Sequence, residues 1–218
     1  MSRFTVHGVP GSPYVRAVLL TLEEKGADWR LQAMGMGHNR TPDYLALQPF
    51  GKIPVLLDGD FRLYETHAIL RYLDRVLRAP PLVPDDPKQA ARMDQLISIT
   101  NAHVRPEVSG AITFARIVAP KFGIPIDEST IPPAIPAAEK CVAAIAELIG
   151  GQPYMAGEAV SLADLMLVPH LDYFAQCAEG EAILAPHPAL GAWLSRMRAR
   201  PSMAATGWDR LLEGVEAA

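Results

Sequence analysis

Residues 48–69 read QPFGKIPVLLDGDFRLYETHAI, and this stretch decides the fold. Ile53-Pro54 stands at the mouth of an apolar run from Pro54 to Leu57. Proline is tolerated at the first residue of a strand because no ladder donor is needed there. An X-Pro bond in that place is open to the cis form, which turns the backbone of residue 53 outward. Asp58-Gly59 is a hairpin signal, and Phe61 to Leu63 supplies the returning strand. Glu65-Thr66 then opens a helix with the apolar face Ile69, Leu73, Val76 and Leu77. An exposed strand edge beside a helix N-terminus suits a peptide ligand, with ladder groups for its backbone and helix amides for its carboxylate.

Upstream, strand and helix signals alternate in the same way. Phe4 to Gly8 (FTVHG) predicts a short strand. Val15, Val18, Leu19 and Leu22 fall on one face of a helix that ends at Lys25-Gly26, a cationic last turn followed by a C′ glycine. Asp28 to Ala33 predicts a second strand. Thr41-Pro42 is an N-cap with proline at N1, opening a short helix through Leu47. Residues 1–78 therefore read βαβαββα.

Residues 79–87, APPLVPDDP, hold four prolines and predict a linker. No strand pattern follows it over residues 88–218. Met93, Leu96, Ile97, Thr100 and Val104 form one helical face, and Pro106 predicts a kink or a break. Residues 120–136 are rich in proline and read as irregular. Ile135, Ala138, Val142, Ile145 and Leu148 predict a helix ended by Gly150-Gly151. Ser161 and Asp164 form a capping box, with Val160 and Leu165 at the positions of a hydrophobic staple. Further helices run around Leu190, Trp193, Leu194 and Met197, and past Pro201. The fold class is α+β followed by α in two domains, residues 1–78 and 88–218.

Half of the 218 residues are hydrophobic, a fifth are charged, and the net charge is −4 without long runs of either sign. That balance argues against nucleic acid as a partner. The opening segment lacks a signal-peptide core, and no stretch reaches the ~18 apolar residues of a membrane span. A cytoplasmic protein with no membrane partner is expected. Cys141 and Cys177 show no CxxC spacing and read as buried reduced thiols. The six histidines form no HxxxH pair, and no metal site is expected.

Four stretches in order, HGVPGSPYVRAVLL (7–20), QPFGKIPVL (48–56), LYETHAI (63–69) and VSLADL (160–165), resemble the cytosolic glutathione transferases over nearly the whole chain. The Ser12-to-Arg16 spacing and QPFG look most like the phi class and its bacterial relatives. The resemblance implies a thioredoxin-like domain followed by an all-helical one, with glutathione as co-substrate. It also implies a small hydrophobic electrophile as second substrate and a homodimer.

The chemistry needs a thiolate, because the thiol is a poor nucleophile and is mostly protonated at neutral pH. Ser12, at the predicted start of the first helix, is the implied hydroxyl donor to the sulfur. Read from residues alone, it is equally an N-cap. Tyr14 is the rival donor. Ile53-Pro54 is implied to pair with the cysteinyl main chain, and Glu65 and Thr66 to hold the γ-glutamyl ammonium and carboxylate. Lys52 is implied near the glycyl carboxylate, where a solvated surface lysine is the alternative. Asn39 stands where the phi-like pattern has histidine, and His38 is one residue early. Arg16 supports the site or makes a salt bridge. The second substrate is expected between the domains near His103, Phe114 and Ile117. Phe50 aligns with an aromatic that plugs the partner subunit in related classes. Glutathione-dependent peroxidase or dehalogenase chemistry uses the same thiolate, and a non-catalytic stress or interaction protein on this fold is the other reading.

Overall fold

The computed structural model describes residues 3–216 and divides into two compact units. One holds the chain up to Leu82 together with the segment from Arg200, and the other runs from Val83 to Ala199. The tail beyond Arg200 thus belongs with the first unit, where the sequence pattern had assigned it to the helical domain.

The first unit is built on a four-stranded sheet in the order β2-β1-β3-β4. Its strands are β1 (Phe4–Gly8), β2 (Trp29–Ala33), β3 (Val55–Asp58) and β4 (Phe61–Tyr64). β1 and β2 are parallel, and the other neighbours are antiparallel. The helices are α1 (Pro13–Glu24), α2 (Pro42–Leu47) and α3 (Thr66–Val76), so the βαβαββα order holds. Phe4 and Val6 are fully buried, as are Val15, Val18, Leu19 and Leu22 of α1 and Ile69, Leu70 and Leu73 of α3. A second cluster joins Val9, Met34, Tyr44 and Val55, with Ile53 and Tyr64 packed against it.

Two local readings shift by a residue. β3 runs through Asp58, which pairs with Phe61, so the loop is Gly59-Asp60, with Gly59 at a φ of 57°. Lys25 follows α1, but its side chain is buried, bonded to Asp74 and to the Pro80 carbonyl.

In the second unit, α4 (Pro87–Ile99) runs without a break through a wider-turned segment, Thr100–Val118, into α5 (Ala119–Lys121). Pro106 therefore neither splits nor ends the helix. The segment that contains it is wound more widely than an α-helix, and at its far end the Ala119 amide bonds the Phe114 carbonyl, a closure over five residues. The proline-rich stretch is also more regular than its composition predicts. α6 (Ile131–Ile149) starts four residues before Ile135, because Pro132 and Pro133 lie in the first turn, where amides have no intrahelical partner. α7 (Leu162–Phe174), α8 (Ala178–Leu184) and α9 (Pro188–Arg198) complete this unit, and α10 (Pro201–Ala205) and α11 (Trp208–Glu216) belong to the first.

The capping carboxylate is the polar centre of the helical unit. Asp164 is fully buried and accepts from the Ser161 amide and hydroxyl, the Met155 amide and the Trp193 indole, all at 2.7–2.8 Å. Burial raises its pKa, and these four bonds oppose the shift.

Candidate glutathione site

The strand register brings the predicted residues to one end of the sheet. His7 lies opposite Val55, and Val55 opposite Tyr64. The turn after β1, the segment entering β3 and the segment leaving β4 therefore emerge together. They carry Ser12, Ile53-Pro54 and Glu65-Thr66.

Ser12 ends a turn that begins at Val9, closed by its amide on the Val9 carbonyl at 3.1 Å. Pro10 and Gly11 occupy the centre, and Gly11 has a φ of +85°, the pattern of a type II turn. Ser12 is the N-cap of α1, its Oγ accepting the Val15 amide at 3.5 Å. That distance is long for a hydrogen bond. Among the described residues the hydroxyl donates no hydrogen bond.

The Ile53–Pro54 peptide is cis. Among the described residues neither the amide nor the carbonyl of Ile53 makes a backbone hydrogen bond. The loop before it is held by three side chains. Gln48, 1% exposed, accepts the amides of Phe50 at 2.7 Å and Lys52 at 3.1 Å through its Oε1. Tyr44 donates to the Lys52 carbonyl at 2.7 Å, and Asn39 Nδ2 to the Gly51 carbonyl at 2.6 Å. Burial pushes the Tyr44 phenol up to about 12, so it remains a donor at every working pH. The Asn39 amide nitrogen is thus committed to the loop. Lys52 points into solvent and forms no ion pair among the described residues.

Glu65 stands at a φ of 71°, the one residue other than glycine with positive φ among those described. A glutamate there is strained by roughly 1–3 kcal/mol, a cost found mostly at functional sites. Its side chain is exposed and makes no capping bond, so the N-terminus of α3 is left to Thr66, which is buried. Phe50 is 68% exposed while packing edge-on against Tyr64, 6.2 Å between centroids.

Other predicted residues lie elsewhere. Arg16 is buried and donates to the Met203 carbonyl at 3.1 Å, so it braces α1 and is no surface cation. His103 is exposed and bonds Glu107 at 3.2 Å, whereas Phe114 and Ile117 on the same segment are half-buried. Gln48 and Tyr44 were missed as site residues. A buried glutamine two residues before a turn has no periodicity to mark it.

Residues 11–76 match the model of the glutathione S-transferase N-terminal domain, and residues 111–196 that of the C-terminal domain. Glutathione S-transferase F10 of Arabidopsis thaliana is 31% identical over 85% of this chain and 87% of its own. The crystal structure of glutathione transferase F2 from Populus trichocarpa superposes with a TM-score of 0.82, is 27% identical, and covers 99% of this chain and 100% of its own. A theta class glutathione S-transferase from Xanthomonas axonopodis pv. citri, solved with glutathione bound, gives a TM-score of 0.77 at 28% identity over 93% of this chain and 95% of its own. With the fold, both domain models and a relative at this identity in agreement, the chain belongs to the glutathione S-transferase family.

Proposed function

We propose that the protein conjugates glutathione, as a thiolate, to small hydrophobic electrophiles, as a phi-like bacterial member of its family acting in the cytoplasm. One observation carries this reading: complementary groups with no partner among the described residues stand at one end of one sheet. They are the Ser12 hydroxyl proton, the Ile53 main chain and the Glu65 carboxylate, with the Lys52 ammonium on the adjoining loop.

Each answers one part of a tripeptide. Ile53 pairs antiparallel with the cysteinyl main chain. Glu65 takes the γ-glutamyl ammonium, and the Thr66 hydroxyl and amide take the neighbouring carboxylate at the start of α3. Lys52 meets the glycyl carboxylate, and Asn39 serves that end through Gly51. Ser12 donates to the sulfur as a hydrogen-bond donor, not as a base or nucleophile. A bond to a charged acceptor contributes roughly 1.5–3 kcal/mol and a helix N-terminus about 0.3–1. Together these lower the thiol pKa by about one to three units. The thiol proton leaves to solvent, and the sulfur electron pair forms the new S–C bond as the electrophile's leaving group departs or its double bond takes up the electrons. Phe114 and Ile117 supply apolar surface for the electrophile, and His103, turned to Glu107, lies at its margin.

A homodimer with Phe50 as an intersubunit plug accords with the exposure of that ring. Among the described residues no helix is long and apolar enough to cross a membrane.

The test is Ser12→Ala, read by glutathione affinity and by the pH profile of conjugation. Affinity should hold within about threefold while the profile moves to alkaline pH by about one to three units. An unmoved profile passes the donor role to Tyr14, and loss of retention on immobilised glutathione in the unmutated protein removes the reading altogether.

A further inference from the structure

The turn that presents Ser12 is covered from the far end of the chain. A methyl group at Gly11 would stand 2.3, 2.4 and 2.6 Å from Cδ2, Cε2 and Cε3 of Trp208, so the fused part of the indole rests directly on the Gly11 backbone. Both residues are buried, Trp208 to 8% exposure. Any side chain at position 11 would displace the ring, and the φ of +85° disfavours one independently. The same terminal segment grips α1 at two more points. The Met203 carbonyl accepts from Arg16, and Arg200 makes a two-pronged pair with Glu24 at 2.7 and 2.6 Å, joined by the Ser202 hydroxyl at 2.5 Å. Residues 200–216 lie outside both stretches matched by the family's domain models, which end at 196.

We propose that Trp208 is a positioning residue for the thiolate donor, its indole pressing the Gly11 backbone so that the next residue, Ser12, is held at the sulfur. The inference rests on the glutathione reading of the site. Among the described residues the Ser12 hydroxyl is tied only by the 3.5 Å bond it accepts from Val15, so its aim depends on where the turn sits. Hydrogen-bond strength falls steeply with angle, and a displacement of about 1 Å in such a site is enough to cost up to a hundredfold in rate. The ring face on Gly11 removes the freedom for that displacement.

The experiment uses the full-length protein and compares Trp208→Leu, Trp208→Phe, Arg200→Met and Ser12→Ala. Each is measured for glutathione affinity by calorimetry and for the pH profile of kcat/KM with an aryl halide. Trp208→Leu, which removes the flat face together with much of the ring's volume, should shift the profile alkaline by about half a unit to one unit and lower kcat/KM at neutral pH about three- to tenfold, with affinity changed less than about threefold. Trp208→Phe restores a flat ring and should recover most of the shift. Arg200→Met loosens the segment at the far end of α1 and should lower Tm without moving the profile. If Trp208→Leu leaves the profile in place while Ser12→Ala moves it, the positioning role is overturned and the glutathione reading stands. If Ser12→Ala does not move it either, the donor assignment itself has failed. An equal shift in Arg200→Met would also overturn the proposal, because general loosening would then explain it. Should Trp208→Leu not fold, the protein labelled with 5-fluorotryptophan supplies the same answer. Glutathione should move the Trp208 resonance and leave Trp193, on the other unit, in place. A Trp208 resonance blind to glutathione overturns the proposal.

Discussion

The Tyr44 hydroxyl donates to the main-chain carbonyl of Lys52 at 2.7 Å. This bond fixes the residue directly before Ile53 from the α2 side, while Gln48 fixes the same residue through its amide. Tyr44→Phe removes one of the two ties and leaves a carbonyl short of a partner. Stability should fall by about 1 kcal/mol and the KM for glutathione rise about three- to fivefold, with the pH profile unmoved. Chemical denaturation and steady-state kinetics check both. A change in KM no larger than error would mean that Gln48 and Asn39 hold the loop without it.

Glu65 couples a useful carboxylate to an unfavourable backbone. Glu65→Gly should relieve the strain, raising stability by up to about 1 kcal/mol after allowing for the freer unfolded chain. It should also raise the KM for glutathione at least about tenfold through loss of the charge. Glu65→Gln keeps the strain and loses the charge, so KM should rise with no gain in Tm. Comparing the pair separates conformation from recognition.

His170 is buried in the helical unit, 2.7 Å from the Ser109 hydroxyl, and burial first, with Arg105 second, lowers its pKa to about 3. A histidine depressed in the fold adds stability above its unfolded value, near 6.5, which is lost as pH falls toward the folded one. Acidification from pH 7 to pH 5 should therefore cost about 2 kcal/mol through this residue. Urea unfolding at the two pH values measures it, and His170→Gln should remove most of the difference.

Asp164 gathers four buried donors, so Asp164→Ala leaves all of them without their acceptor. A loss of about 3–5 kcal/mol is expected. The variant should express poorly at 37 °C and unfold at much lower denaturant, while any protein recovered cold still binds glutathione.

Glu24 makes the acid limb of the terminal segment. Burial would raise its carboxyl, but hydrogen bonds from Arg200 and Ser202, with the Arg200 charge, outweigh that and hold it below the usual carboxylate range. A depressed carboxyl adds stability above its unfolded pKa, near 4.3, and loses it as pH falls through the folded value. Hydrogen exchange in α10 and α11 should speed up as pH drops below about 4.3, after allowance for intrinsic rates, and Glu24→Gln should abolish that dependence.

The first unit was legible because its signals are local. Thr41-Pro42 capped α2, Lys25-Gly26 ended α1 and Ile53-Pro54 led into β3, each through a few adjacent residues, whereas the sequence left the Ile53–Pro54 peptide merely open to the cis form that the structure has. Ser161 and Asp164 were legible for the same reason. What stayed hidden was non-local. Nothing near Trp208 says that it will lie on Gly11, and nothing near Arg16 says that Met203 will accept from it. Pro106 misled in part. Its local rule forecasts a kink or a break, and the helix continues unbroken through it in a wider-turned segment. Prolines 132 and 133 misled for a related reason, since composition reads as irregular where position in the first turn makes proline welcome.

The buried Lys25, its side chain wholly shielded between Asp74 and the Pro80 carbonyl, makes a built-in chemical clock. An amine-acylating reagent will reach Lys52 on the rim at once. It can mark Lys25 only when α1, α3 and the strap after them part company, so the rate of that single modification reports how often the thioredoxin-like half breathes open.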